Sequence, residues 1–153
     1  MKTKLVLFLL SLCIIAGCNP AFGQKLYPVQ GPLAAQTPPQ VFSAKLTGGP
    51  KSGGISLVLT NGETFKGKWA TVAVSFVNTK TPGTPASYPP QPNLAFAWDA
   101  VYGQGYVFAH ILGESIGQAV LTGNQGTVIQ LEFFDGRIGV AVDNKGNIYK
   151  MAW

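Results

Sequence analysis

The spacing of short apolar segments predicts one mainly-β domain, an antiparallel β-sandwich or small barrel, with one short helix near residues 93–103. Three observations lead there. Strand-length segments recur along the chain, several with inward and outward residues alternating. Their connections, Asn61-Gly62, Gly123-Asn-Gln-Gly126, Asp135-Gly136 and Asn144-Lys-Gly146, carry glycine where a tight turn needs it. Only Asn93–Gly103 has the spacing and capping residues of a helix.

In chain order, Lys25-Leu-Tyr-Pro-Val-Gln-Gly-Pro-Leu33 reads as an edge strand, because two prolines exclude it from a sheet centre. Ala34 to Gln40 is Pro- and Gln-rich and irregular. Val41–Thr47 reads as a strand, followed by a flexible glycine-rich loop over 48–54. Ile55–Thr60 and Glu63–Trp69 form a hairpin through Asn61-Gly62, read as a two-residue turn with both central residues at positive φ. Thr71–Asn78 is expected as a further strand. Five prolines between Thr79 and Pro92 make that stretch a surface excursion. Over 93–103, Leu94, Ala97, Trp98, Val101 and Tyr102 share one helical face, Asn93 suits an N-cap and Gly103 a C-cap. Alternating Leu94, Phe96 and Trp98 would also fit a strand; the capping residues favour the helix. Tyr106–Leu112 reads as a strand. Gln118–Thr122, Thr127–Phe134, Ile138–Asp143 and Asn147–Trp153 complete a tight meander. No fixed-period repeat is visible.

The N-terminus sets the compartment. Lys2 and Lys4 precede an unbroken apolar run, Leu5–Ile15, that is too short to span a bilayer, which needs ~20 residues. Ile15-Ala16-Gly17-Cys18 follows. It resembles the lipobox of bacterial lipoproteins, where two small residues enter the peptidase groove and the cysteine thiol receives diacylglycerol. The resemblance implies a signal peptide over 1–17, lipid on Cys18, a tether over 18–24 and a folded domain over 25–153. An ordinary signal cut after Gly23 and a retained anchor are the alternatives. In Gram-negative lipoproteins an aspartate after the cysteine retains the protein at the inner membrane. Asn19 in its place implies the outer membrane, facing the periplasm. Leu26-Tyr-Pro-Val-Gln-Gly-Pro-Leu33 and Gly139-Val-Ala-Val-Asp-Asn-Lys-Gly-Asn-Ile-Tyr-Lys150 also resemble a group of small uncharacterised bacterial lipoproteins. That likeness implies no activity.

Loss of residues 1–17 removes Lys2 and Lys4 and leaves a net charge of +3. The remaining lysines are scattered along the sequence, with no block expected of a nucleic-acid partner. Cys18 is the only cysteine left, so the domain forms no internal disulfide and no cysteine-based metal site.

Candidate chemistry is sparse. Gly113-Glu-Ser115-Ile-Gly117 matches the nucleophile elbow pattern, but Gln118–Thr122 reads as strand where the elbow needs a helix. The single histidine, His110, precedes the serine, the reverse of the order in that fold. Asp143-Asn-Lys-Gly-Asn147 begins like a calcium loop but lacks the later bidentate glutamate, so it reads as a hairpin turn. The six carboxylates show no pairing in sequence. No catalytic residue, metal ligand or cofactor is assigned. The expected role is a membrane-anchored, non-catalytic binding or assembly-supporting module whose partner is an envelope protein or small ligand. A small-ligand carrier with an apolar interior and a small hydrolase using Ser115 and His110 are the alternatives.

Overall fold

In a computed structural model of the chain, residues 22–74 and 93–152 are described. Cys18, the stretch 1–17 expected as a signal peptide and the Pro-rich segment 79–92 lie outside them.

Eight antiparallel strands follow one another in sequence and in space: β1 Phe22–Gln30, β2 Phe42–Gly48, β3 Ser52–Val58, β4 Thr64–Ala73, β5 Ser115–Thr122, β6 Val128–Phe134, β7 Ile138–Asp143 and β8 Ile148–Ala152. β1 pairs with β8 as well as with β2, so the sheet closes into a barrel. The sandwich alternative is thereby excluded. Closure removes both sheet edges, which short exposed strands would otherwise leave unpaired.

Alternation assigns the two surfaces. Inward positions carry Leu26, Phe42, Ala44, Leu46, Ile55, Leu57, Phe65, Trp69, Ala119, Leu121, Ile129, Leu131, Phe133, Ala141, Tyr149 and Met151, all buried in one cluster. Phe42 meets Tyr149 edge-on at 6.0 Å, and Trp69 meets Phe133 edge-on at 5.2 Å. Eight strands leave an interior about wide enough for such side chains. Gly117, Phe133 and Gly139 are neighbours in one row across β5, β6 and β7. The Phe133 ring occupies the space where a Cβ on Gly117 would stand.

Leu94–Tyr102 forms helix α1 and Tyr106–His110 a shorter helix α2. Asn93 caps α1, accepting the Phe96 N–H at 2.9 Å. Ala97, Trp98 and Ile111 join Ile116, Val140, Val142 and Ile148 in a second buried cluster on the outside of the barrel. The helices thus cover the apolar outer face of β5, β7 and β8. None of the described helices is long and apolar enough to cross a membrane. The outward residues Lys25, Lys45, Lys66, Lys68 and Gln118, set against an apolar interior, are the reverse of a lipid-facing barrel.

Several expectations change. Tyr106–Leu112 is not a strand, because the barrel is complete without it and its residues cover the outer face. The described residues therefore hold two helices rather than the one expected. Thr71–Ala73 continues β4 instead of starting a new strand; residues 75–78 are not described. β1 begins at Phe22, so three residues expected in the tether belong to the barrel. It is a closing strand rather than an edge. Pairing with β2 ends at Leu26, so Pro28 is paired only with β8, at an irregular register, and the exclusion of proline from doubly paired positions still holds there. The loop expected over 48–54 shrinks to a tight β2–β3 turn at 49–51, with Gly49 N–H donating to Ser52 O, because Gly48 ends β2 and 52–54 open β3. Gly62 has positive φ but Asn61 does not. The turn is therefore a three-residue loop, Thr60 to Gly62, closed by Leu59 N–H on Glu63 O at 2.9 Å.

Candidate functional site

Loops 60–62, 124–126 and 144–146 sit together at the barrel end away from Phe22, and they are built alike. Gly62, Gly126 and Gly146 each have positive φ. Each donates its N–H back three residues, to Leu59, Gly123 and Asp143. The loops are also latched to each other. Asn124 donates its backbone N–H to Thr64 O at 3.2 Å, and its Oδ1 accepts Thr64 N–H at 2.9 Å. Asn144 does the same to Val128, at 3.1 and 3.0 Å. Asn147 extends the chain of contacts by accepting Leu33 N–H at 2.9 Å.

Each loop ends on a polar residue turned inward: Glu63, Thr127 and Asn147, all buried. The Glu63 carboxylate accepts Thr127 N–H at 2.9 Å, Thr127 O–H at 2.5 Å and Gln125 N–H at 3.2 Å. Lys145 Nζ lies 3.7 Å from it. Burial alone would raise the Glu63 pKa, but the hydrogen bonds from Thr127 and Gln125, with the Lys145 charge, hold it below the usual carboxylate value. Asp143 accepts from Lys145 N–H, from the Asn147 backbone and amide, and from Tyr149 O–H at 2.7 Å. Burial first, then donation to this carboxylate, pushes the Tyr149 phenol well above its ordinary value. These groups satisfy one another, so the network reads as a polar plug for the barrel end.

The helical side carries a run of aromatic rings. Trp98, Tyr102 and Tyr106 follow one another at 5.2 and 5.0 Å, and Tyr106 lies 4.6 Å from the His110 ring. Lys150 Nζ stands 5.5 Å from the Tyr102 ring centre. Trp98 Nε1 donates to Glu132 Oε2 at 2.7 Å, and Gln118 donates to the other oxygen of the same carboxylate at 2.7 Å. Tyr102 O–H reaches the carbonyls of Gly139 and Met151 at 3.4 and 3.3 Å. Burial raises the Tyr102 pKa.

Ser115 opens strand β5, exposed and paired with Ala73. It is not on a strand-to-helix turn, so the elbow geometry is absent. His110 closes α2, exposed and set against Tyr106. No hydrogen bond joins these two among the described residues. His110 lies not on the strand expected over Tyr106–Leu112 but on a helix, with Tyr106 one turn below it. Among the described residues, no group of three or more His, Cys, Asp or Glu side chains is placed to hold a metal ion. Cys18 is not described.

Sequence reading missed the Glu63 and Asp143 network. The available signal was the repeated glycine-then-polar ending of three turns, Gly62-Glu63, Gly126-Thr127 and Gly146-Asn147. It also missed that five lysines converge on one side of the barrel. No protein family, characterised protein or solved structure matches this chain.

Proposed function

We propose that the chain is a lipid-anchored bacterial envelope protein whose barrel works as a non-catalytic binding module, held at the outer membrane through Cys18. The observation that carries this reading is the Ile15-Ala-Gly-Cys18 box with only three residues between Cys18 and β1 at Phe22. A stable domain therefore starts almost at the acylation site. Two or three acyl chains hold a protein firmly at a membrane, where one binds marginally. Confinement raises the effective concentration of the barrel towards other envelope components, so a modest interface is enough.

The packed interior favours a surface-binding role over a ligand carrier. Phe42, Phe65, Trp69, Phe133 and Tyr149 occupy the space a carried molecule would need. Ser115 opens β5 rather than a strand-to-helix turn, and no hydrogen bond joins it to His110 among the described residues, which counts against the hydrolase reading.

Complementation of a deletion strain tests the reading. A Cys18→Ala form matched to native abundance is expected to fold yet complement poorly. Full complementation would show the anchor to be dispensable, and turnover of a defined substrate by the purified protein would remove the binding-only role.

A further inference from the structure

Strands β1–β4 present an outer face that differs from the rest of the barrel. Its outward positions hold Lys25, Lys45, Lys66 and Lys68, with Lys51 in the β2–β3 turn, and all five are exposed. Register places Lys45 opposite Ser56 and Ser56 opposite Lys66. Gly54 stands between Thr47 and Lys68 in the next row but one. At ~4.8 Å per strand, Lys45 and Lys66 are about 10 Å apart. The serine, threonine and glycine beside them are short and leave the lysines exposed, while Lys25 Nζ donates to Ser43 Oγ at 3.0 Å on the same face.

Among the described residues no Asp or Glu shares this face. Glu63 and Asp143 are buried in the barrel end, and Asp99, Glu132 and Asp135 belong to α1, β6 and the β6–β7 turn. Glu114 precedes β5. Among the described residues none of the five lysines forms an ion pair with a carboxylate. The lysines that look scattered in sequence are thus gathered by the meander on one side.

We propose that this face docks on the anionic headgroups of the membrane that holds the anchor. The inference rests on the lipid-anchor reading above. β1 is both the first strand after Cys18 and part of the face. Four residue steps from Cys18 to Phe22 span at most ~14 Å. Gly23 is paired with Lys45, and Lys25 lies two residues on. The tether therefore holds the nearest lysines within one to two Debye lengths of the surface, a length of ~8–10 Å near physiological salt. Basic residues so placed are attracted to anionic leaflets. The barrel then lies on its side, and the helical hairpin over β5, β7 and β8 faces away from the lipid.

The test uses the full chain, first examined by mass spectrometry for lipid on Cys18. It is reconstituted into phosphatidylcholine vesicles and into vesicles of equal phosphatidylcholine and phosphatidylglycerol. Brief acetylation is then measured at each lysine relative to Lys145, which sits at the far barrel end. Lys25, Lys45, Lys66 and Lys68 are expected to react at least about threefold more slowly on the anionic vesicles, with protection lost at high salt. A Lys45→Glu, Lys66→Glu double variant is expected to lose protection at Lys25 and Lys68 while keeping its lipid. The salt series on the unaltered chain keeps the test decisive if that variant folds poorly. Equal acetylation on both vesicles overturns the docking and leaves the anchor standing, with the face open to a soluble acidic partner. An unlipidated Cys18 overturns the anchor reading and this proposal together.

Discussion

Glu63 has no exposed surface, yet its carboxyl is held below the ordinary value by Thr127, Gln125 and Lys145. A lowered folded-state pKa means that its stabilisation is complete above the free glutamate value of ~4.3 and is lost as pH falls through the folded value. Glu63→Gln should therefore cost about 1–3 kcal/mol near neutrality. Its stability should also fall less than that of the native chain between about pH 5 and pH 3. Urea unfolding of a form beginning at Phe22 measures both. Tyr149 has the opposite sign: its raised pKa gives stability that is full below ~10 and lost as pH rises. Tyr149→Phe should remove that alkaline loss. It should also cost about 1–3 kcal/mol at neutral pH, because Asp143 Oδ2 keeps only the Asn147 amide. Alkaline unfolding followed by near-ultraviolet circular dichroism checks it. Glu63 could not be read as paired from the sequence, since Thr127, Gln125 and Lys145 come from other turns, whereas Tyr149 meets Asp143 across the turn of its own hairpin.

At the scale of elements, the turns and most strands were legible because glycine position and alternation are local signals. Tyr106–His110 was not. Tyr, Val and Phe favour strands, but strand preference depends on what surrounds the strand. Here β1 and β8 already close the sheet, and the apolar outer residues Ile116, Val140, Val142 and Ile148 need a cover. Asn93–Gly103 was legible because its N-cap, apolar face and terminal glycine agree with each other. Trp98 pins that cover through Glu132 and is 2% exposed. Trp98→Ala should cost about 3–5 kcal/mol, detectable as a lowered urea midpoint. Inside the barrel, a Cβ on Gly139 would run into the Glu132 carbonyl and the Phe133 backbone. Gly139→Ala should lose about 1–3 kcal/mol, whereas the same change at Gly49, with nothing near its Cβ position, should be close to neutral.

For the whole molecule, the choice between sandwich and barrel was beyond the sequence, because the β1–β8 pairing joins the two ends of the domain. The clustering of lysines was hidden for the same reason: residues 25, 45, 66 and 68 meet only once β1–β4 are paired. The Ile15-Ala-Gly-Cys18 box, by contrast, is a local pattern of adjacent residues, so the anchor is proposed from the sequence alone. The picture that results is a packed barrel with a latched polar end, a helical cover and a basic side, joined to Cys18 by three residues. Its central claim is the anchor. The N-terminal peptide of the protein isolated from its own envelope tests that claim most directly by mass spectrometry. The account expects a chain beginning at Cys18 and carrying diacylglycerol. An unmodified chain beginning at Gln24, or one that keeps residues 1–17, would contradict it.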